Sequence, residues 1–180
     1  MTTPLLPGQE RRGAGSTARG AMVALSGVWL FVLLASGAIE HEVLVLHLFQ
    51  SLIYVAVIVL ALRGSKWACG IAISIAVMWN YFNLHTGFVF DAGFRVWRQF
   101  LSGGGIRNFV QFLAPIAWFA HVGLIAAALA SYARRSDRRW ADTGVLVASF
   151  AGTFAYFAAI LALFGPQFLP RLLHLFGIRH

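Results

Sequence analysis

This chain of 180 residues carries six histidines and six carboxylates, and several of them fall inside or at the ends of long apolar runs. An ionisable group in such a place is costly, and so it points towards function. Glu40, His47, His85 and His121 stand out. Glu40, His47 and Tyr54 are spaced i, i+7 and i+14, with Gln50 and Ser51 alongside, which makes one face of a helix polar for about three turns. Asn80, Asn83 and His85 form a shorter polar stretch, and Asp91 follows it. Imidazole plus carboxylate is the ligand set of zinc, copper and non-haem iron. The sharpest chemical expectation is therefore a transition-metal or redox site built on His47 and His85 and completed by Glu40 or Asp91. Haem is the lesser cofactor expectation: it needs two histidines at matched depth on facing helices, and His47 and His85 are the pair that could serve. His121 lies deeper than either and is expected to be satisfied by a hydroxyl from the last apolar run.

No fixed spacing supports a named reaction. His41-Glu42 opens like a zincin motif, but Val45 stands where its second histidine would be needed. Phosphate loops, nucleophile elbows and dinucleotide fingerprints are absent. The rival reading of the polar residues is structural: inward Ser, Thr, Asn, Gln and His side chains often serve as interhelical hydrogen-bond glue, worth about 0.6 kcal/mol each.

The elements that must position these groups are five apolar runs, each about long enough to cross a hydrocarbon core of about 30 Å as a helix. They fall at Ala21 to Ile39, Val43 to Leu62, Trp67 to about Phe82, Phe109 to Tyr132 and Thr143 to Leu163. Gly165-Pro166 ends the last one. The expected fold is all-α: a polytopic integral membrane helical bundle forming one domain over residues 21–164. A basic, unstructured cytoplasmic tail (1–20) precedes it, and a short outer tail (165–180) follows, in which Leu169, Leu172, Leu173 and Phe176 are grouped at helical spacing. Between the third and fourth runs, Phe88 to Ser102 reads as an amphipathic helix lying in the membrane interface. It sets Asp91, Arg95, Arg98 and Ser102 on one face and Phe90, Phe94, Trp97 and Leu101 on the other. Asp91 and Arg95 are spaced to pair. Small-xxx-small pairs such as Ala148-Gly152 suggest close helix packing, and Trp29, Trp67, Trp97 and Trp140 are expected near the interfaces.

Composition agrees: 59% of residues are hydrophobic and 11% charged, with a mean hydropathy of +0.76, leaving too little polar surface to cover a soluble globule. The net charge of +8 sits in the gaps between apolar runs, which argues for anionic lipid contact rather than nucleic acid. With the amino terminus inside, Arg11, Arg12, Arg19, Arg63, Lys66, Arg134, Arg135, Arg138 and Arg139 are cytoplasmic. Arg95, Arg98, Arg107, Arg171 and Arg179 are outside. The positive-inside rule therefore predicts a multi-pass protein of the cell (inner) membrane, N-in and C-out. The competing reading of the first run as a cleaved signal is disfavoured by its length. The lone Cys69 excludes an internal disulfide.

Three function classes follow. First comes an accessory, assembly or structural subunit of a membrane complex, in contact with lipid and with a membrane protein partner or further copies of itself. Second comes a redox enzyme with a metal or haem near the outer face. Third comes a small oligomeric transporter or channel.

Overall fold

The computed structural model describes residues 7–168 together with Pro170 and Leu173, and side chains from Ser16 onward. The expected helical grouping of the outer tail lies, apart from Leu173, outside the described residues. Six α-helices account for most of the chain: α1 Pro7–Ile39, α2 Leu44–Leu62, α3 Lys66–Thr86, α4 Phe94–Leu101, α5 Phe109–Ala133 and α6 Asp142–Phe164. No strand occurs among the described residues. Five helical segments, Ser16–Ile39, His41–Leu62, Lys66–Thr86, Phe109–Ala133 and Asp142–Phe164, are long and apolar enough to cross a membrane.

The ends of these helices follow local chemistry. Ser65 caps α3 by accepting from the Trp67 amide at 3.3 Å, and Asn108 caps α5 by accepting from the Gln111 amide at 2.8 Å. The third apolar run extends beyond Phe82 to Thr86, where Gly87 (φ 67°) supplies the left-handed residue that terminates it. The first helix departs from expectation at its start. It begins at Pro7, inside the stretch expected to be unstructured. Proline suits a first helical turn, and Gln9, Glu10, Arg11 and Arg12 are good helix formers, while Gly8, Gly13 and Gly15 are not, so the helix is carried back from the apolar run rather than favoured throughout by local propensity.

α1 packs against α2 and α5, while α3 packs against α2, α5 and α6. Small residues make the central position of α3 possible: Ala72, Ala76 and Ser74 are wholly buried. A Cβ on Gly70 would run into the Ser149 hydroxyl and press on the Ser149 Cβ at 3.1 Å, so glycine there favours the close α3–α6 approach. Gly152 and Ala148 line an open groove between α2, α3 and α6, and nothing lies within 4 Å of the Cβ direction of Gly152.

Residues 88–102 are helical for most of their length but not as one amphipathic rod. Phe88–Gly93 is a π-helical turn that leads into α4. That wider turn shifts the register, so Asp91 and Arg95 form no ion pair; the Asp91 carboxylate lies back over Gly87. The aromatic side of this segment covers α5. Phe90 meets Trp118, Phe94 meets Phe119 and Trp97 meets Phe112, with ring centroids 5.5, 6.3 and 5.8 Å apart. Pro115 breaks the α5 ladder here, leaving the Gln111 carbonyl without its usual amide donor. Gly93 is packed against Pro115 and that carbonyl, and the Trp97 indole donates to the neighbouring Phe112 carbonyl at 2.8 Å.

Candidate functional site: a cavity over a sealed polar centre

The polar stripe on α2 divides into two environments. Tyr54 points into the middle of the bundle, fully buried, where its hydroxyl lies 2.8 Å from His121 Nε2 on α5. The partner of His121 is thus a phenol from the second apolar helix, not a hydroxyl from the last one. Trp29 of α1 stacks on the His121 ring at 3.8 Å and on Tyr54 at 5.5 Å, and its indole donates to the Ala117 carbonyl at 2.8 Å. Trp29 was expected at an interface; it is 5% exposed. The reason is position: it lies ten residues before the end of α1, about 15 Å along the axis from that end.

Above this centre opens a cavity of about 440 Å³, reached by α1, α2, α3, α5 and α6. Its wall is mostly apolar and aromatic, with Trp29, Trp79, Phe82 and Phe157 prominent. Glu40, His47, Gln50, Asn83 and Thr86 bring polar atoms to it. Gln50 is 2% exposed, and its amide oxygen has no hydrogen-bond partner among the described residues; the same holds for the Trp79 indole nitrogen. The Gln50 acceptor and the Trp79 donor therefore stand buried and unpartnered in a mostly apolar wall. A buried polar atom without a partner costs about 1–3 kcal/mol; Ser26 Oγ, Asn80 Oδ1, Trp118 Nε1 and His121 Nδ1 are in the same condition away from the cavity, whereas Gln50 and Trp79 border an open space.

The four residues expected to hold a metal are dispersed. His47 is half-buried on the cavity wall, its Nδ1 3.1 Å from the Ser36 hydroxyl across the α1–α2 hairpin. Gly37 permits that hairpin, since a Cβ there would press on Leu44 and His47 at 3.2 and 3.3 Å. Glu40 is exposed at the same cavity's lining. His85 is exposed, donates from Nδ1 to the Tyr81 carbonyl at 3.0 Å and lies against the Tyr81 ring. Asp91 lies over Gly87. Among the described residues, no three His, Cys, Asp or Glu side chains gather as a metal-binding group.

Sequence reasoning found Gln50 and Tyr54 on one stripe, but missed that Trp29 and Trp79 join them. The only available signal was their depth within apolar runs. No protein-family model, curated protein or solved structure matches the chain.

Proposed function

We propose that this protein is a multi-pass integral membrane protein of the cell membrane, amino terminus cytoplasmic, whose cavity holds a neutral, largely apolar small molecule with a hydrogen-bonding head. Membrane embedding is supported by the outward faces of all five long helices, where Phe31, Leu52, Val77, Phe119 and Val147 are 39–62% exposed. The observation that carries ligand binding is the buried pair of unpartnered groups, Gln50 Oε1 and Trp79 Nε1, in one aromatic chamber. A hydroxyl-bearing amphiphile fits that lining: its apolar body lies against the aromatic wall, and its hydroxyl accepts from the Trp79 indole and donates to Gln50 Oε1. Gln50 and Trp79, the buried groups left to bind the head, are uncharged and offer no counter-ion to a charged one, which selects against it there.

The test is organic extraction of the purified protein followed by mass spectrometry. A stoichiometric neutral amphiphile is expected from the wild type and should be depleted in Gln50→Leu. If the wild type yields only bulk detergent and phospholipid, the ligand reading fails. Reporter fusions after Ala141 and after Gly104 should report cytoplasm and exterior respectively; the opposite pattern overturns the orientation.

A second reading, that the protein is an accessory or structural subunit packing against another membrane protein, is favoured by α6. Its span is the least covered of the five, 28% buried, and Gly152 leaves it open to close approach. Gly152→Leu should then change the size of the complex extracted in mild detergent while leaving monomer stability intact.

A further inference from the structure

At the opposite end of the bundle the chain forms a wide bowl of about 1270 Å³ between α1, the α2–α3 turn and the α5–α6 loop. Five arginines line it, Arg19, Arg134, Arg135, Arg138 and Arg139, with a single carboxylate, Asp137. That carboxylate is already used. Arg135 grips it with two nitrogens, at 2.9 and 3.1 Å, and also donates to the Gly64 carbonyl at 2.7 Å. The nearby acid Asp142 is used as well, accepting from Lys66 at 2.9 Å, from the Tyr132 hydroxyl at 3.0 Å and from the Arg139 amide at 2.9 Å. These contacts fix the loop and leave four guanidinium groups, on Arg19, Arg134, Arg138 and Arg139, exposed and without a hydrogen bond or ion pair among the described residues. On the rim stands Trp140, 97% exposed.

We propose that this bowl binds a phosphate-bearing anion, supplied by the head group of an acidic phospholipid. Exposed guanidinium groups from α1 and the α5–α6 loop, lining one bowl whose local acids are already paired, match the bidentate chemistry of phosphate oxygens. Trp140 decides the source. An indole left wholly uncovered beside arginines suits the head-group region, where its ring meets the acyl boundary and its nitrogen meets water. The orientation proposed above also puts this end at the cytoplasmic leaflet, whose surface is anionic. The lipid source rests on that membrane reading, whereas the phosphate chemistry of the arginines does not.

The test is native mass spectrometry of the full chain released from an uncharged detergent, titrated with phosphatidylglycerol, with phosphatidylcholine of the same acyl chains, or with inorganic phosphate. Phosphatidylglycerol should be retained in preference to phosphatidylcholine. Arg134→Ala with Arg138→Ala should weaken its binding about 25-fold, taking about fivefold for each basic residue near the surface. Arg95→Ala with Arg98→Ala, which removes the same charge elsewhere, should leave it unchanged. Equal retention of the two lipids with no phosphate binding overturns the proposal, as does an equal loss in both double variants. If inorganic phosphate binds and depends on Arg134 and Arg138 while neither lipid is preferred, the anion site stands and its source is the soluble ion. Should the alanine pair fail to fold, Arg134→Lys with Arg138→Lys keeps the charge but removes the fork. It should weaken phosphatidylglycerol by less than the alanine pair would, and wild-type affinity in it overturns the bidentate site. Membrane residence is read separately, by whether alkaline carbonate releases the protein from membranes.

Discussion

Two polar assemblies tie the helices together, one in the middle of the bundle and one at its basic end, and they are built from different chemistry. In the middle, Trp29, Tyr54 and His121 join α1, α2 and α5 through ring stacking and hydrogen bonds at 2.8 Å, with every side chain 5% exposed or less. At the end, Lys66, Arg135, Asp137 and Asp142 join the start of α3 to the α5–α6 loop through ions that reach solvent. The difference follows from the cost of desolvation. A charge inside the bundle would lose more solvation than a partner returns, so the interior connects helices with aromatic rings and single hydrogen bonds. Where water is available, ions are cheap to place, and each contributes little because water competes with it.

This contrast sets an order of effects. Trp29→Ala should be the most damaging of these substitutions, because it empties a ring-sized volume, unstacks His121 and Tyr54 and leaves the Ala117 carbonyl without its indole donor. A loss of about 3–5 kcal/mol is expected from thermal unfolding in detergent. Trp140→Ala is the reference, since that ring touches almost nothing. Equal midpoints for the two variants would mean that the central stack holds nothing together. Next in size is the coupling between Tyr54 and His121. A double-mutant cycle with Tyr54→Phe and His121→Phe should give about 0.6–1.7 kcal/mol, the range found for interhelical hydrogen bonds within membranes. The same cycle on Ser36→Ala and His47→Ala should give less, because His47 borders the cavity and is half-exposed. A larger coupling at the cavity than at the centre would break the distinction between a sealed contact and an open one.

How much of this was legible in the sequence depends on what each feature needs. The five long helices and most of their ends were readable because bilayer thickness, hydropathy and the glycine and proline stops act over short stretches of chain; Gly87 moved one end by only four residues, whereas the start of α1 at Pro7, before the apolar run, was not. Asp91 and Arg95 were misread because a π turn, which no local pattern announced, changed their register. His47, Gln50 and Tyr54 were readable as one polar face, but not as two environments. That division depends on Trp29 and Trp79, contributed by α1 and α3, and sequence spacing carries no information about which helices are neighbours. For the same reason His85, close to His47 in expected depth, turned out to face Tyr81 instead.

The smallest expected effect tests the charged end by pH. Hydrogen bonding to Arg135, assisted by that guanidinium's charge and by Lys66, lowers the Asp137 carboxyl from its ordinary 3.8 to about 2. A carboxyl lowered by folding stabilises the folded form wherever it is ionised in both states, and that contribution fades as pH falls between the unfolded and folded values. Asp137→Asn should therefore cost a constant, small amount of stability above about pH 4, and the gap between variant and wild type should close as pH approaches 2. The size must be modest, because the Asp137 side chain is 53% exposed and solvent screens the pair. Thermal midpoints of the two proteins from pH 6 down to pH 2 in the same detergent provide the measurement. Parallel curves over the whole range would show that Asp137 is unpaired in solution. In that case Arg135 would be free to join Arg134 and Arg138 as a fifth available cation in the bowl.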